Sequence, residues 1–232
     1  MIKSYLKDQF HVAMSHNRQN IISLVTDLAP ARFLDLGCDD GDWTSQVAAS
    51  AKAKKTYGIE LIEERAALAR SKSIEVVISD LGQRLPMDDN SFDLVHANQV
   101  IEHVADVDLF ASEIFRVLKP GGHVVVSTEN GSSWHNIFAS IFGWQIFSLT
   151  NMSSLKAGLG NPMALLKNEP IQFSTWTHKV IFNYLGLVEF FQAHGFEDIR
   201  VMGAGYYPLP TFVASLDPRH AHFITLCARK IK

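Results

Sequence analysis

The chain has 232 residues, of which 47% are hydrophobic and 19% charged, proportions typical of a folded protein with a sizeable core. This length predicts one large domain, or one domain with an insertion. Lysine and arginine number 21 against 24 aspartates and glutamates, so we expect no nucleic-acid partner, because binding nucleic acid without sequence preference needs an excess of cations.

The cysteines and the N-terminal segment indicate a compartment. Cys38 and Cys227 form no CxxC pair or ligand-spaced cluster, which argues against a disulfide scaffold or structural zinc and favours a reducing cytoplasm. Residues 1–8 are too polar for a secretory signal, and no apolar run is long enough to predict a membrane span. We therefore expect a cytoplasmic protein.

Helices and strands are predicted to alternate over the first half of the chain. A first helix is expected over residues 3–28, ended by Ala29-Pro30. The elements predicted after it are, in order, strand 32–36, helix 42–53, strand 56–60, helix 63–70, strand 74–79, strand 92–97, helix 104–118 and strand 123–128.

The loop after the first predicted strand is expected to hold a ligand. Gly37 and Gly41 let the backbone turn sharply and approach a ligand closely. Strand–glycine-loop–helix units usually bind nucleotide-like ligands at the strand's carboxyl end. A dinucleotide fingerprint would need glycine at positions 39 and 42, where aspartates stand, and no Gly-Lys-Ser/Thr of a phosphate-binding loop follows.

Four aspartates surround this loop: Asp35, Asp39, Asp40 and Asp42. Together they would oppose a pyrophosphate and suit a ligand with positive charge. Capping of the following helix explains Asp40 and Asp42 equally well. It explains Asp35 less well, because that residue precedes the turn.

Polar residues also end the next strands. Glu60 could accept hydrogen bonds from both ribose hydroxyls, although it could instead be a surface residue starting the next helix. Asp80 could accept a bond from a purine amine, with Leu81 against the ring. Asn98 follows the fourth strand. Because parallel strands end on one rim, we expect Gly37 and these residues to line a single cleft.

The second half of the chain breaks the alternation. Residues 129–177 are rich in aromatics, and a loop of this length is usually functional. We expect residues 134–149 to form a helix that packs on the cleft as a cap. A membrane-surface role is the less favoured alternative, since this helix carries no lysine or arginine. A helix over 178–194 and two antiparallel strands over 196–202 and 223–229 complete the chain.

Six sequence motifs in this order are found together in one enzyme family. They are Leu34-Asp35-Leu36-Gly37-Cys38-x-x-Gly41, Gly58-Ile59-Glu60, Ser79-Asp80-Leu81, Leu85-Pro86-x4-Ser91-Phe92-Asp93-Leu94-Val95, Ile101-Glu102-His103-Val104 and Arg116-Val117-Leu118-Lys119-Pro120-Gly121-Gly122. The chain resembles class I S-adenosylmethionine-dependent methyltransferases, strongly over residues 30–128 and weakly over the last two strands. The resemblance implies an α/β three-layer sandwich whose Rossmann-like, mostly parallel seven-stranded sheet has an antiparallel last strand.

The resemblance implies S-adenosyl-L-methionine as cofactor and S-adenosyl-L-homocysteine as product. The implied cofactor-binding residues are Asp35, Gly37, Cys38, Gly41, Glu60, Leu61, Asp80, Leu81 and Asn98. The first-strand loop and Asn98 would hold the methionine part, the second strand end the ribose, and the third the adenine. Asp39 stands where the family most often has glycine, so we expect a more polar loop that still binds.

A looser resemblance concerns members of this family that modify small molecules. It rests on Ser133-Trp134-His135-Asn136, Thr177-His178 and Gly203-x-Gly205-Tyr206-Tyr207-Pro208. It implies an acceptor pocket formed by Trp134, His135, His178, Tyr206 and Tyr207. The implied reaction is methyl transfer to an O, N or C atom of a small molecule. A cofactor-binding module without chemistry and a protein methyltransferase remain as alternatives.

Catalysis of this reaction needs mainly an acceptor held in line with the activated methyl group. A general base helps when the acceptor is a hydroxyl or protonated amine. His103 is nearest to the rim and is the predicted base, although it could equally be a structural residue that supports its loop. We expect no metal site, because no HxxxH pattern or acid cluster has suitable spacing.

Overall fold

The computed structural model describes residues 2–171, 173–207, 209–210 and 212–232, so Pro208 of the last motif lies outside the described residues. The helices are α1 Ile2–Val25, α2 Asp42–Ala51, α3 Glu63–Ser71, α4 Val107–Val117, α5 Trp134–Ile141, α6 Tyr184–Ala193 and α7 Val213–Leu216. The strands are β1 Arg32–Leu36, β2 Lys55–Glu60, β3 Glu75–Ile78, β4 Phe92–Asn98, β5 Leu118–Glu129, β6 Phe196–Ala204 and β7 Phe223–Lys230.

The strands form one seven-stranded sheet in the order β3-β2-β1-β4-β5-β7-β6. Strands β1 to β5 pair in parallel. Strand β7 inserts between β5 and β6 and pairs antiparallel with both. The predicted Rossmann-like sheet with an antiparallel last strand is confirmed.

Hydrophobic residues cover both faces of this sheet. Leu34 and Leu36 of β1 belong to a core cluster with Phe110 of α4 and Phe191 of α6. Phe33, which points the opposite way along β1, packs in a second cluster containing Ile21 of α1 and Val47 of α2. Helices therefore cover the sheet on both sides, as a three-layer sandwich requires. The polar carboxyl ends of the parallel strands stay at the rim.

Some predicted boundaries were wrong. Helix α6 begins at Tyr184 rather than at 178, because the preceding segment is extended: Lys179 and Val180 donate backbone N–H groups to the carbonyl of Glu102. Helix α5 ends at Ile141, two residues before Gly143 takes a positive φ of 68°. Strand β5 begins at Leu118, which pairs with Phe92 before a register shift. No described helix is long and apolar enough to cross a bilayer.

Candidate active site

A first cavity of about 420 Å³ lies where β1 and β4 end. Four of the predicted cofactor-binding residues line it: Asp35, Gly37, Cys38 and Asn98. The other eight lining residues are Arg18, Asp39, Asp40, Asp42, Trp43, Thr44, Gln46 and His96. This cavity thus brings together four of the nine residues that the sequence predicts to bind the cofactor.

The backbone of the loop after β1 explains its sequence. Gly37, Asp39 and Gly41 have positive φ angles of 74°, 47° and 81°. A Cβ atom on Gly37 would lie 2.8 Å from Cγ2 of Val100, so glycine is needed there for space as well as conformation. Aspartate is among the non-glycine residues that best tolerate the left-handed region. Asp39 can therefore take the left-handed conformation at the position where the family most often has glycine.

Asp35 is held firmly beneath this loop. The residue is 3% exposed. It accepts a hydrogen bond from Oγ1 of Thr44 at 2.5 Å, and its other oxygen lies 2.7 Å from Nδ1 of His96. A carboxylate offers about four lone-pair positions, so Asp35 keeps acceptor capacity towards the cavity. The structure thus gives it a fixed position and a free face for a cationic group.

Two cations, Arg65 and Lys72, partly neutralise the other three loop aspartates. Asp39 pairs with Arg65 at 3.1 Å, and Asp42 pairs with Lys72 at 2.8 Å. The hydrogen bond to Asp42 also raises the pKa of Lys72 above its usual value. The net negative charge of the loop is therefore smaller than the four aspartates alone would give. Asp35 is then the main carboxylate that favours a cationic ligand.

The ends of β2 and β3 lie on the same rim, outside the lining of the first cavity. Glu60 accepts three backbone N–H groups, from Asp39 at 3.0 Å and from Leu61 and Ile62 at 2.9 Å each. Its carboxylate is thereby fixed against the loop at the strand end. Asp80 is exposed and accepts the N–H of Gly82 at 2.8 Å.

The remaining predicted cofactor residues differ in exposure. Leu61 is exposed, and Leu81 packs at the edge of the main core cluster. Gly41 is buried against Ala69 and Ile74, so it shapes the turn rather than lining the cavity. The thiol of Cys38 is also buried, and burial together with the charges of Asp35 and Glu60 raises its pKa.

Helix α1 contributes residues that sequence reasoning missed. Asn17 donates to Oδ1 of Asn98 at 3.2 Å and accepts from Ser127 at 2.9 Å and from Thr225 at 2.7 Å. These bonds attach α1 to the ends of β4 and β5 and to β7. Arg18, the next residue, lines the first cavity. The helical spacing alone suggested only a packing helix.

A second cavity of about 680 Å³ lies on the β5–β7 side of the rim. The first turns of α1 and residues of the 129–177 insertion form much of its wall, which is largely apolar. Three of the predicted pocket residues line it, namely His135, His178 and Tyr207. His222, which sequence reasoning did not place, lines it as well.

An uncharged polar cluster occupies one side of the second cavity. The rings of His135 and His222 lie 4.4 Å apart, and Tyr207 lies 5.3 Å from each. Burial lowers the pKa of His135 to about 3 and that of His222 well below its usual value. Both imidazoles are therefore neutral at pH 7. The buried hydroxyl of Tyr207 has no hydrogen-bond partner among the described residues.

Two other predicted pocket residues belong to a separate cluster. Trp134 donates its indole N–H to the hydroxyl of Tyr206 at 2.8 Å, and Tyr206 donates to Asp217 at 2.6 Å. The indole also stacks on His220 with ring centroids 4.6 Å apart. Neither Trp134 nor Tyr206 lines the second cavity. Their bonds connect α5 to the segment before β7.

Glu102, His103 and His178 converge behind the second cavity. His103 itself lines neither cavity, but its ring lies 4.7 Å from that of His178, which does. Burial and the neighbouring His178 lower the pKa of His103 to about 4. Glu102 is 1% exposed, and burial raises its pKa to about 8. The sequence distance between these residues hid this arrangement.

Open α/β sheets of this topology bind nucleoside-containing ligands outside the carboxyl ends of their strands, where both cavities lie. The fold and the position of the cavities are thus those expected of a nucleoside-cofactor-binding α/β protein. Residues 34–126 match the family model described as a methyltransferase domain. Over residues 34–126, the S-adenosylmethionine-dependent methyltransferase family that the motifs predicted, with S-adenosyl-L-methionine as its cofactor, is therefore confirmed.

Relatives and solved structures agree with this assignment. Demethylmenaquinone methyltransferase of Lactococcus lactis is 32% identical over 115 residues, which are 47% of this chain and 46% of the relative. The mitochondrial ubiquinone biosynthesis O-methyltransferase of Rattus norvegicus is 26% identical over 144 residues, 56% of this chain and 41% of the relative. The chain thus spans about half the length of the curated relatives it matches.

A crystal structure of an S-adenosylmethionine-dependent methyltransferase from Thermotoga maritima superposes with a TM-score of 0.61. It is 19% identical to this chain, and the superposition covers 98% of this chain and 95% of the other. At this level of identity the match supports the fold alone. It extends the similarity to the last strands, which the family model does not cover.

Proposed function

We propose that the chain transfers the methyl group of S-adenosyl-L-methionine to a small, largely apolar molecule in the second cavity, releasing S-adenosyl-L-homocysteine. The observation that carries this proposal is that α1 lines both cavities, with Arg18 in the first and His11 in the second. Seven residues of helix span about 10 Å. The two cavities therefore lie close enough on one rim to hold a cofactor and its acceptor.

The first cavity suits the methionine part of the cofactor. The free face of Asp35 would accept the ammonium group, and Asn98 lies next to it on the rim. The ribose would then lie towards Glu60 and the adenine towards Asp80 and Leu81, on the following strand ends. This assignment uses the strand order β3-β2-β1-β4.

The second cavity suits an apolar or partly aromatic acceptor. Its walls include Phe10, Phe147 and Leu165, and its buried imidazoles are neutral. The names of two relatives refer to quinone biosynthesis, which supports an acceptor of similar polarity. We propose that the whole chain, residues 1–232, forms one domain with residues 129–177 as the acceptor-binding cap. The two unpaired cysteines support a cytoplasmic location.

Catalysis would come mainly from holding the acceptor atom in line with the methyl group. His103 is the proposed general base. Its Nδ1 lies 3.2 Å from the carbonyl oxygen of Thr177, which can only accept, so the proton is on Nδ1 and Nε2 keeps its lone pair. The ring of His178, 4.7 Å from that of His103, lines the second cavity, so the acceptor would lie on this side of His103.

The test is methyl transfer from methyl-labelled cofactor to separated small-molecule, protein and RNA fractions. We expect label in the small-molecule fraction together with an equal amount of S-adenosyl-L-homocysteine. Label in protein would instead identify a protein methyltransferase. Cofactor binding by calorimetry without transfer to any fraction would identify a binding module and overturn the proposal.

A further inference from the structure

We propose that Glu102, His103 and His178 form a binding site for one divalent transition-metal ion. Each residue offers one ligand atom, and the three atoms lie within 4.8 Å of one another. Glu102 and His103 follow β4, while His178 comes about 75 residues later in the extended segment before α6. No ligand spacing is visible in the sequence, which is why the sequence predicts no metal site.

The two imidazoles are oriented as metal ligands usually are. Nδ1 of His103 donates to the carbonyl of Thr177 at 3.2 Å, and Nδ1 of His178 donates to the carbonyl of Ser148 at 2.6 Å. A backbone carbonyl on one ring nitrogen fixes the tautomer and leaves the other nitrogen as the electron-pair donor. Both Nε2 atoms are thus available to a cation.

The carboxylate of Glu102 supplies the third ligand. Its Oε2 accepts from the hydroxyl of Thr128 at 2.9 Å, which fixes the group. Its Oε1 is buried and has no hydrogen-bond partner among the described residues. An unpartnered buried acceptor is costly to the fold. A cation between Oε1 and the two imidazoles would give this oxygen the partner it lacks and remove that cost.

The donor set selects the class of ion. Two imidazole nitrogens and one carboxylate oxygen suit Zn²⁺, Co²⁺ and Fe²⁺. Mg²⁺ and Ca²⁺ are disfavoured, because they prefer sites made only of oxygen. Three protein ligands also leave at least one coordination position open, as in metal sites that take part in reactions.

A consequence for the reaction follows if the proposed function is correct, since His178 also lines the second cavity. An acceptor hydroxyl could occupy the open position, and the metal would lower the hydroxyl's pKa. The hydroxyl proton leaves to solvent. The oxygen then forms its bond to the methyl carbon while the carbon–sulfur bond breaks and its electron pair stays on sulfur. The acceptor class would be a phenol or enol. His103 would then be a ligand and not a base, because both roles use the Nε2 lone pair.

The experiment titrates untagged, chelator-treated protein with Co²⁺ and records the visible absorption of the bound ion. We expect one equivalent with the absorption of a four- or five-coordinate site, displaced by Zn²⁺. Glu102→Gln keeps the shape of the side chain, and His178→Ala removes a partly buried ligand. Changes to residues that only hold the ligands in place weaken metal binding by up to about 100-fold. Each of these variants removes a ligand itself, so each should weaken Co²⁺ binding by more than about 100-fold.

The matched control is His194→Ala. This histidine also donates Nδ1 to a backbone carbonyl, that of Phe190 at 2.8 Å, and also faces a carboxylate, Asp108 at 3.3 Å, but neither belongs to the cluster. It should leave Co²⁺ binding unchanged. Absence of one-equivalent binding, or equal binding by parent and Glu102→Gln, would overturn the proposal. Circular dichroism checks folding, and Glu102→Gln decides alone if His178→Ala does not fold.

This titration contains neither cofactor nor acceptor, so its result is independent of methyl transfer. A protein that binds Co²⁺ at this site but methylates nothing would retain the metal proposal and lose the proposed function. A protein that methylates a small molecule but binds no Co²⁺ would retain the proposed function and lose the metal proposal.

Discussion

Nδ1 of His96 lies 2.7 Å from Oδ1 of Asp35, across the pairing of β4 with β1, and both side chains are buried. A carboxylate oxygen accepts, so the ring N–H of His96 donates in this bond. The bond holds Asp35 in one rotamer at the floor of the first cavity. The position of Asp35, the predicted ammonium-binding group, is therefore fixed by the pairing of β1 with β4 and not by the conformation of the loop.

Asp35→Asn should weaken binding of S-adenosyl-L-methionine by about 10- to 100-fold, because a hydrogen bond to a charged group contributes about 1.5–3 kcal/mol. Isothermal titration calorimetry measures the change. Asp27→Asn is the control, since Asp27 is exposed, pairs with Lys52 and lines neither cavity, and the affinity of this variant should stay within about twofold. Equal affinities of parent and Asp35→Asn would contradict the assignment of the first cavity.

Position 39 tests the left-handed turn. Asp39→Val should destabilise the fold by about 1–2 kcal/mol, because a branched side chain is strained at a φ of 47°. Asp39→Gly should change stability by less than about 0.5 kcal/mol, because glycine accepts this conformation and only the partly exposed ion pair with Arg65 is lost. Urea denaturation measures both. Similar free energies of unfolding for the two variants would mean that the left-handed conformation does not restrict which residue can stand at position 39.

Substitutions at the adjacent residues Tyr206 and Tyr207 distinguish a structural role from a binding role. Tyr206→Phe loses the bonds to Trp134 and Asp217 and should destabilise the fold by about 1–2 kcal/mol. Tyr207→Phe removes a buried hydroxyl that has no partner among the described residues, so the fold should keep its stability or gain up to about 1 kcal/mol.

Methyl transfer is the second readout for these variants. If the hydroxyl of Tyr207 contacts the acceptor, Tyr207→Phe should raise the KM for the acceptor, while Tyr206→Phe should not. Loss of stability in Tyr207→Phe would indicate that its hydroxyl is already satisfied in the free protein.

Glu113 should make stability depend on pH. It accepts bonds from Arg116 at 2.6 Å and from the N–H of Leu85 at 2.7 Å, and the Arg116 bond is the main cause that lowers its pKa below 4.5. A lowered folded pKa means that the stabilisation is complete above pH 4.5 and is lost as the pH falls through the folded value.

Glu113→Gln should therefore cost about 2–3 kcal/mol at about pH 7, and progressively less below about pH 4. Guanidinium denaturation over this pH range measures the difference from the parent. The exposed Glu64→Gln serves as control and should show no such dependence. If the loss of unfolding free energy in Glu113→Gln instead grew as the pH fell, the pKa of Glu113 would not be lowered in the folded protein, and the prediction would be wrong.

The rim was predictable from the sequence because it depends on short-range signals. Glycines at a strand end, acids after the next strands and the alternation of elements are all local patterns. The role of His96 depends on strand register, and that of Arg65 and Lys72 on how α3 and its C-terminal end lie against the loop. None of these is visible as a motif.

The acceptor side was less predictable for the same reason. Tyr206 and Tyr207 are adjacent, yet one bonds to Asp217 and the other faces the second cavity. The aromatic content of the insertion indicated a pocket wall, but α5 is shorter than predicted and the following segment turns irregularly. His222 follows an irregular segment, so no helix or strand periodicity in the sequence predicts where its side chain points.

The three side-chain bonds of Asn17 have a consequence for both cavities. Because α1 is attached through this residue to β4, β5 and β7 and lines both cavities, loss of these bonds would change the shape of both cavities together. If the first holds the cofactor and the second the acceptor, as proposed, a substitution of Asn17 would lower the affinities for the two ligands in parallel.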